Sequence, residues 1–205
     1  EIEQTPGERD FVTYDNPIES SQLLAWIDRQ HSPHLHDSIS ITGGEPLLHA
    51  AFLAQFLPQV KALTQLPIYL ETGGHRPAQL LQVLESVDLV GMDIKLPSVS
   101  GETHWEKHQE FLQLCQDTHT DVFVKIIISQ TTNPAELQQA ARLVADVNNQ
   151  TTIFLHPMTA LAHPHTNPHL TAPTPSQVLT WQALMKEYVQ QIRVIPQTHK
   201  MLGQL

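Results

Sequence analysis

The chain has 205 residues, 40% apolar and 16% charged, with a formal net charge of -10. That length and apolar share suit one folded domain with a substantial core and exclude a disordered chain. The acidic balance argues against a nucleic-acid-binding surface, which needs a basic face to neutralise phosphate, and no run approaches the roughly 20 apolar residues that span a bilayer.

The first position is Glu1, with no basic region and apolar run behind it. No signal peptide is visible, so a cytoplasmic protein with no membrane partner is expected. N-terminal truncation or processing is also expected. In chain order, residues 20–30 read as a helix with Leu23, Leu24 and Ile27 at helical spacing. Residues 38–42 (SISIT) read as a strand. Residues 47–63 form a helix that places Leu48, Phe52, Phe56 and Val60 on one stripe. Residues 68–71 (IYLE) form a second strand, and 77–83 a helix that opens on proline. A third strand follows at 87–94 (VDLVGMDI), then a helix at 104–115.

Residues 122–129 (VFVKIIIS) read as a strand. Asn133 caps a helix whose first residue is Pro134 and whose third is Glu136. Residues 152–155 (TIFL) and 192–195 (IRVI) are strands on either side of a helix at 176–190. The strands lack clean alternation, as parallel strands covered on both faces do. Strand and helix in alternation imply crossovers and a parallel sheet, either open or closing into a barrel. No second domain or low-complexity segment appears. The lone thiol, Cys115, ends a helical pattern and reads as a small core residue.

The chemistry-bearing residues gather where strands end, the edge that carries ligands in parallel α/β folds. Thr42-Gly43-Gly44-Glu45-Pro46 follows the first main strand and Glu71-Thr72-Gly73-Gly74 the second. Asp93 and Lys95 end the third, Lys125 and Ser129 lie on the fourth, and His156 follows the fifth. Gln197, His199 and Lys200 follow the last. Two glycines at a strand end let backbone approach a ligand with no Cβ between. Glu45 sets a carboxylate where an ammonium group can donate to it, and Pro46 fixes the exit of the turn.

The string ITGGEPLL resembles the radical S-adenosylmethionine (SAM) superfamily, whose GGEP motif binds the SAM amino group. Glu71-Thr72-Gly73-Gly74 looks like that superfamily's next strand-end element, Asp93-Ile94-Lys95 like the polar strand end beside SAM, and Lys125 and Ser129 like the strand that approaches the nucleoside. The tail from Ile195 to Gly203 is similar to that of the 7-carboxy-7-deazaguanine synthase family. The resemblance implies an α/β fold, a partial parallel (β/α)6 barrel forming one domain over 1–205. It also implies a [4Fe-4S] cluster that binds and reductively cleaves SAM to a 5′-deoxyadenosyl radical. That radical abstracts hydrogen from a 6-carboxy-tetrahydropterin-type substrate, a lyase-like step toward queuosine, with magnesium assisting. By the same resemblance Gly43, Gly44, Glu45, Pro46, Glu71, Asp93, Lys95, Lys125 and Ser129 belong to the cofactor site. Thr42, Gln197 and His199 belong to the substrate side. The implied partners are the small-molecule substrate, an electron donor such as flavodoxin or ferredoxin, and a second copy in a homodimer.

Two departures qualify this. The CxxxCxxC loop that holds the cluster is not in the sequence, so the first barrel strand and that loop are expected to be missing and the chain as given inactive. Asp93-Ile94-Lys95 stands where the synthase often has Ser-Pro-Lys and is closer to glycyl-radical activating enzymes, which keeps such an activase open. Two rivals lie outside radical chemistry. One is a non-catalytic degenerate homologue. The other is a zinc-dependent barrel hydrolase using the histidines at 31, 34 and 36 or at 163, 165 and 169.

Overall fold

A computed structural model of the chain describes residues 1–159 and 171–196. A short antiparallel hairpin, β1 (Ile2–Glu3) and β2 (Phe11–Val12), precedes helix α1 (Ser20–Gln30). Strand β3 (Ile39–Ile41) then leads through a 3-10 turn (Pro46–His49) into α2 (Ala50–Thr64). Next come β4 (Ile68–Thr72), α3 (Pro77–Val83), a second 3-10 turn (Leu84–Ser86) and β5 (Leu89–Asp93). The short α4 (Pro97–Ser100), α5 (Trp105–Asp117), β6 (Asp121–Ile128) and α6 (Pro134–Asn148) follow. The described chain closes with β7 (Thr152–Pro157), α7 (Pro175–Lys186) and β8 (Ile192–Val194).

Strands β3 to β8 form one parallel sheet in sequential order. Helices α2, α3, α5, α6 and α7 neighbour one another in the same order. A strand order that never reverses, with helices side by side, lays those helices along one face of the sheet. The strands register this asymmetry. Ile68, Leu70, Val124, Ile126, Ile128, Ile153 and Leu155 are buried in the core with Leu57, Phe111 and Val144. The residues between them, Tyr69, Glu71, Phe123, Lys125, Phe154 and His156, are only half-buried. The expectation of strands covered on both faces is therefore corrected. The alternation is present, masked because large apolar residues also stand on the open face, where Tyr69 and Phe123 stack at 5.9 Å and Phe123 meets Phe154 at 5.3 Å.

Local signals hold with adjustments. Asn133 caps α6 by accepting from the Ala135 N–H at 3.0 Å. Glu136 does not reach back to complete a capping box. Its carboxylate instead accepts from the N–H and hydroxyl of Ser98 on α4, at 3.1 and 2.6 Å. A reciprocal box forms on α7 between Thr174 and Gln177. The apolar stripe of α2 differs from the expected one. Leu48 is 59% and Phe52 40% exposed, while Leu53, Phe56, Leu57 and Val60 are buried. Leu48 lies in the 3-10 turn before the helix, and within α2 a spacing of four drifts about 40° per step around a 3.6-residue helix, so Phe52 falls off the face that Phe56 and Val60 bury. The hairpin β1–β2 carried no apolar pattern long enough to be read. Among the described residues no helix is long and apolar enough to cross a membrane.

Gly91, in the middle of β5, has a packing reason. A Cβ there would collide with the Tyr69 hydroxyl and stand 3.0 Å from Phe123 Cζ. Gly91→Ala is expected to destabilise the protein by about 1–3 kcal/mol through overpacking, read as a lowered urea midpoint. Adding Tyr69→Phe should recover part of the loss, because it removes the clashing oxygen. Equal midpoints for Gly91→Ala and the parent chain would contradict this packing.

Candidate functional site

The C-terminal ends of β3, β4 and β5 open onto a cleft of about 620 Å³. One wall is Thr42, Gly43, Gly44 and Glu45, and the second strand end supplies Glu71, Thr72 and Gly73. Asp93 and Lys95 come from the end of β5, and His75, Glu102, His104 and His108 close the far side. Four carboxylates thus face one lining ammonium, Lys95. Coulombic attraction then favours a ligand head that carries positive charge.

The first wall is built to leave room. Gly43 has φ +131, a conformation side chains rarely adopt, and a Cβ at Gly43 or Gly44 would meet no protein atom within 4 Å. Any side chain there would stand in the cleft. Pro46 is buried at the first position of the 3-10 turn, and Glu45 caps that turn by accepting from the Leu47 N–H at 3.1 Å. The same carboxylate accepts from the Thr72 hydroxyl at 2.8 Å and from the Gly73 N–H at 2.9 Å. A carboxylate has about four acceptor directions, so three occupied ones fix its orientation and leave capacity for one further donor from the cleft.

Behind the cleft, Lys125 on β6 is ion-paired with Glu71 and lies 3.2 Å from Asp93. Its side chain is only 15% exposed, so it does not simply face solvent. Burial works against the Lys125 ammonium, but the Glu71 hydrogen bond and the Asp93 charge outweigh it and raise its pKa. Burial raises the Asp93 carboxyl, and the negative charge of Glu71 adds to that, against the pull of Lys125. The ion pair of Asp93 is with Lys125 rather than with the exposed Lys95. Burial also raises the pKa of Tyr69 below them.

The structure therefore brings together Thr42, Gly43, Gly44, Glu45, Glu71, Asp93 and Lys95, with Pro46 and Lys125 supporting them. Ser129 is buried at the end of β6, outside the cleft lining, and its hydroxyl lies 3.2 Å from that of Thr131. Gln197 and His199 lie outside the described residues, as do the histidines at 163, 165 and 169.

Sequence reasoning missed the histidine wall. His104 and His108 stand four residues apart at the start of α5, and His75 follows the second glycine pair. The i, i+4 spacing behind Glu102 was the available signal. His75 and His104 stack at 5.0 Å, and Glu102 lies 2.9 Å from His104. His108 is 3% exposed, and its Nε2 lies 3.0 Å from the Gly73 carbonyl oxygen. Burial pushes its pKa down to about 4.

Cofactor fit divides in two. The open glycine cradle and the fixed Glu45 carboxylate suit an amino-acid head group. An iron-sulfur cluster does not fit the described residues. No three His, Cys, Asp or Glu among them could hold a metal. Cys115 is buried in the core, its thiol pushed up to about 12.

A 7-carboxy-7-deazaguanine synthase from Geobacter sulfurreducens is 41% identical over 207 residues, covering 100% of this chain and 79% of the relative. The synthase of Methanocaldococcus jannaschii is 25% identical, again over 100% of this chain and 82% of its own length. That of Thermococcus kodakarensis is 26% identical over 65% of this chain and 54% of its own. No protein-family signature matches the chain.

The buried His108 ring generates a pH prediction. An unfolded histidine takes a proton near 6.5, whereas this one does so only near about 4. Between those values the unfolded state holds the extra proton, so stability falls as pH drops through that window. His104 and His75, which face the ring, add to the depression. Urea titrations at several pH values should show that His108→Phe loses this part of the slope. An unchanged slope would contradict the assignment.

Proposed function

Since the chain belongs to the 7-carboxy-7-deazaguanine synthase family, we propose that its strand-end cleft binds S-adenosylmethionine and serves the family's deazapurine-forming reaction. The observation that carries this is the Glu45 carboxylate, locked by Leu47, Thr72 and Gly73 beside a glycine pair with open space above it. An amino-acid ammonium is the ligand group that its remaining acceptor capacity suits. The excess of carboxylates in the cleft suits a ligand that also carries a sulfonium.

In this reading Gly43 and Gly44 admit the ligand to main-chain distance. Glu45 receives the amine. Asp93, Lys95 and the Glu71–Lys125 pair line the path toward the nucleoside, and Thr42 faces the substrate; Gln197 and His199, outside the described residues, are assigned to substrate binding by the resemblance alone. When bound, SAM would supply the hydrogen-abstracting chemistry of the radical SAM superfamily. The cluster that such chemistry uses would be held by cysteines other than Cys115. We also read the six-stranded sheet as a partial parallel barrel of the radical SAM type. Sequential strand order and helices along one face support that reading.

Glu45→Gln removes the charge while keeping the shape. It is expected to weaken SAM binding by at least about tenfold, the order of one charge-assisted hydrogen bond. A form of the protein that carries a CxxxCxxC loop, anaerobically reconstituted with iron and sulfide, should release 5′-deoxyadenosine from SAM on reduction. With 6-carboxy-tetrahydropterin it should form 7-carboxy-7-deazaguanine. Cleavage without that product would reject the substrate. Equal SAM affinity for Glu45→Gln and the parent protein would reject the site.

A further inference from the structure

The second glycine pair, Gly73-Gly74, has no side chains with which to hold itself. Two adjacent glycines sample more backbone space than any other dipeptide, yet Gly73 must aim its N–H at Glu45 for that carboxylate to stay fixed. Three contacts restrain the pair: Gly73 N–H to Glu45 at 2.9 Å, Gly74 N–H to the Thr72 hydroxyl at 3.3 Å, and the Gly73 carbonyl to His108 at 3.0 Å. Two come from residues at the ends of β3 and β4. The third comes from a different element, α5, 35 positions away.

His108 is an expensive residue for its place. It stands on the buried face of α5 with Phe111, Leu112 and Cys115. Its Nδ1 is shielded from water and has no hydrogen-bond partner among the described residues. An imidazole with one nitrogen unsatisfied in a core costs more than a hydrocarbon of like volume. Packing alone would be better served by Phe or Leu. What the ring provides beyond packing is its single bond. A carbonyl oxygen only accepts, so Nε2 carries the hydrogen and Nδ1 is bare. The depressed pKa agrees with a ring neutral at physiological pH.

We propose that His108 is a positioning residue for the amine-binding carboxylate: its Nε2–H holds the Gly73 carbonyl and thereby keeps the Gly73 N–H aimed at Glu45. Gly73 is clamped from both sides, by a carboxylate on its nitrogen and an imidazole on its oxygen. No room remains to brace it otherwise. A Cβ at Gly73 would stand 2.8 Å from His75 Nδ1 and 3.3 Å from Glu45 Oε2, and one at Gly74 would run into the Met92 side chain.

The test uses nitrogen-15-labelled protein and three variants. His108→Phe and His108→Leu remove the donor and keep an apolar core. His108→Gln places an amide N–H near the position of Nε2. In the two apolar variants the Gly73 amide is expected to shift and to exchange its hydrogen about tenfold faster, while the Gln variant stays close to the parent protein. Stability of the apolar variants at neutral pH should be equal or higher, which separates positioning from packing. An unchanged Gly73 amide in whichever apolar variant folds, or an equal change in the Gln variant, would overturn the proposal.

A second arm rests on the reading of the cleft as a SAM site. SAM titrated into each protein should bind about tenfold more weakly to the apolar variants, with rescue by Gln. Equal SAM affinity across all four proteins would overturn the role. If SAM perturbs none of them while the Gly73 amide responds as expected, the positioning stands and the ligand assignment fails.

Discussion

The Glu45 carboxylate is the interaction on which the site depends. It joins two strand ends that the sheet pairs only through β3 and β4 and that would otherwise splay as loops. Its three donors come from the 3-10 turn that starts α2 and from the Thr72-Gly73 end of β4. A glutamate in an exposed turn would be solvated and mobile. Here each oxygen accepts at least one hydrogen bond, so the carboxylate is held in one orientation at the edge of the cleft. Binding capacity and local structure are the same hydrogen-bond set.

The open face of the sheet explains why the charges behind the cleft persist. Lys125 sits between Glu71 and Asp93, so each desolvated carboxylate has a cation within reach and the cation has two. Removing charges from water costs several kcal/mol per ion unless they are paired. The cluster shares the open face with the rings of Tyr69 and Phe123, which stack, and of Phe154, which meets Phe123 edge-on. The helix-covered face carries hydrocarbon almost throughout. The division between faces follows from strand order: with α2, α3, α5, α6 and α7 laid on one side, the other side is left for polar groups and rings.

Much of this was legible in the sequence, and particular residues show why. The six strands declare themselves through apolar runs, and two of those runs, before Gly43 and Gly73, stop close to a glycine pair. The cap at Asn133 is a local signal and holds. The one-sided burial was not legible, because Tyr69, Phe123 and Ile127 make the open face look apolar on paper. The buried face of α2 departs from the four-residue stripe because that spacing drifts around a 3.6-residue helix, and because Leu48 stands in a 3-10 turn before it. Glu136 left its expected local bond for Ser98, 38 positions earlier, a tertiary choice that no window of sequence contains. The histidine wall stayed hidden for the same reason. His75 and His108 meet only once β4 and α5 are packed.

The cleft-lining residues run from Thr42 to His108, and only Lys125 of the supporting cluster lies later. A chain emerging from the ribosome would therefore present the whole cleft lining before its second half is made. Because each strand pairs first with its predecessor, the early units need not wait for distant partners. What the later strands contribute is the cation under two waiting carboxylates and the rest of the wall. The nascent cleft would pass through a stage in which Glu71 and Asp93 face each other without Lys125, at its most negative just before β6 joins.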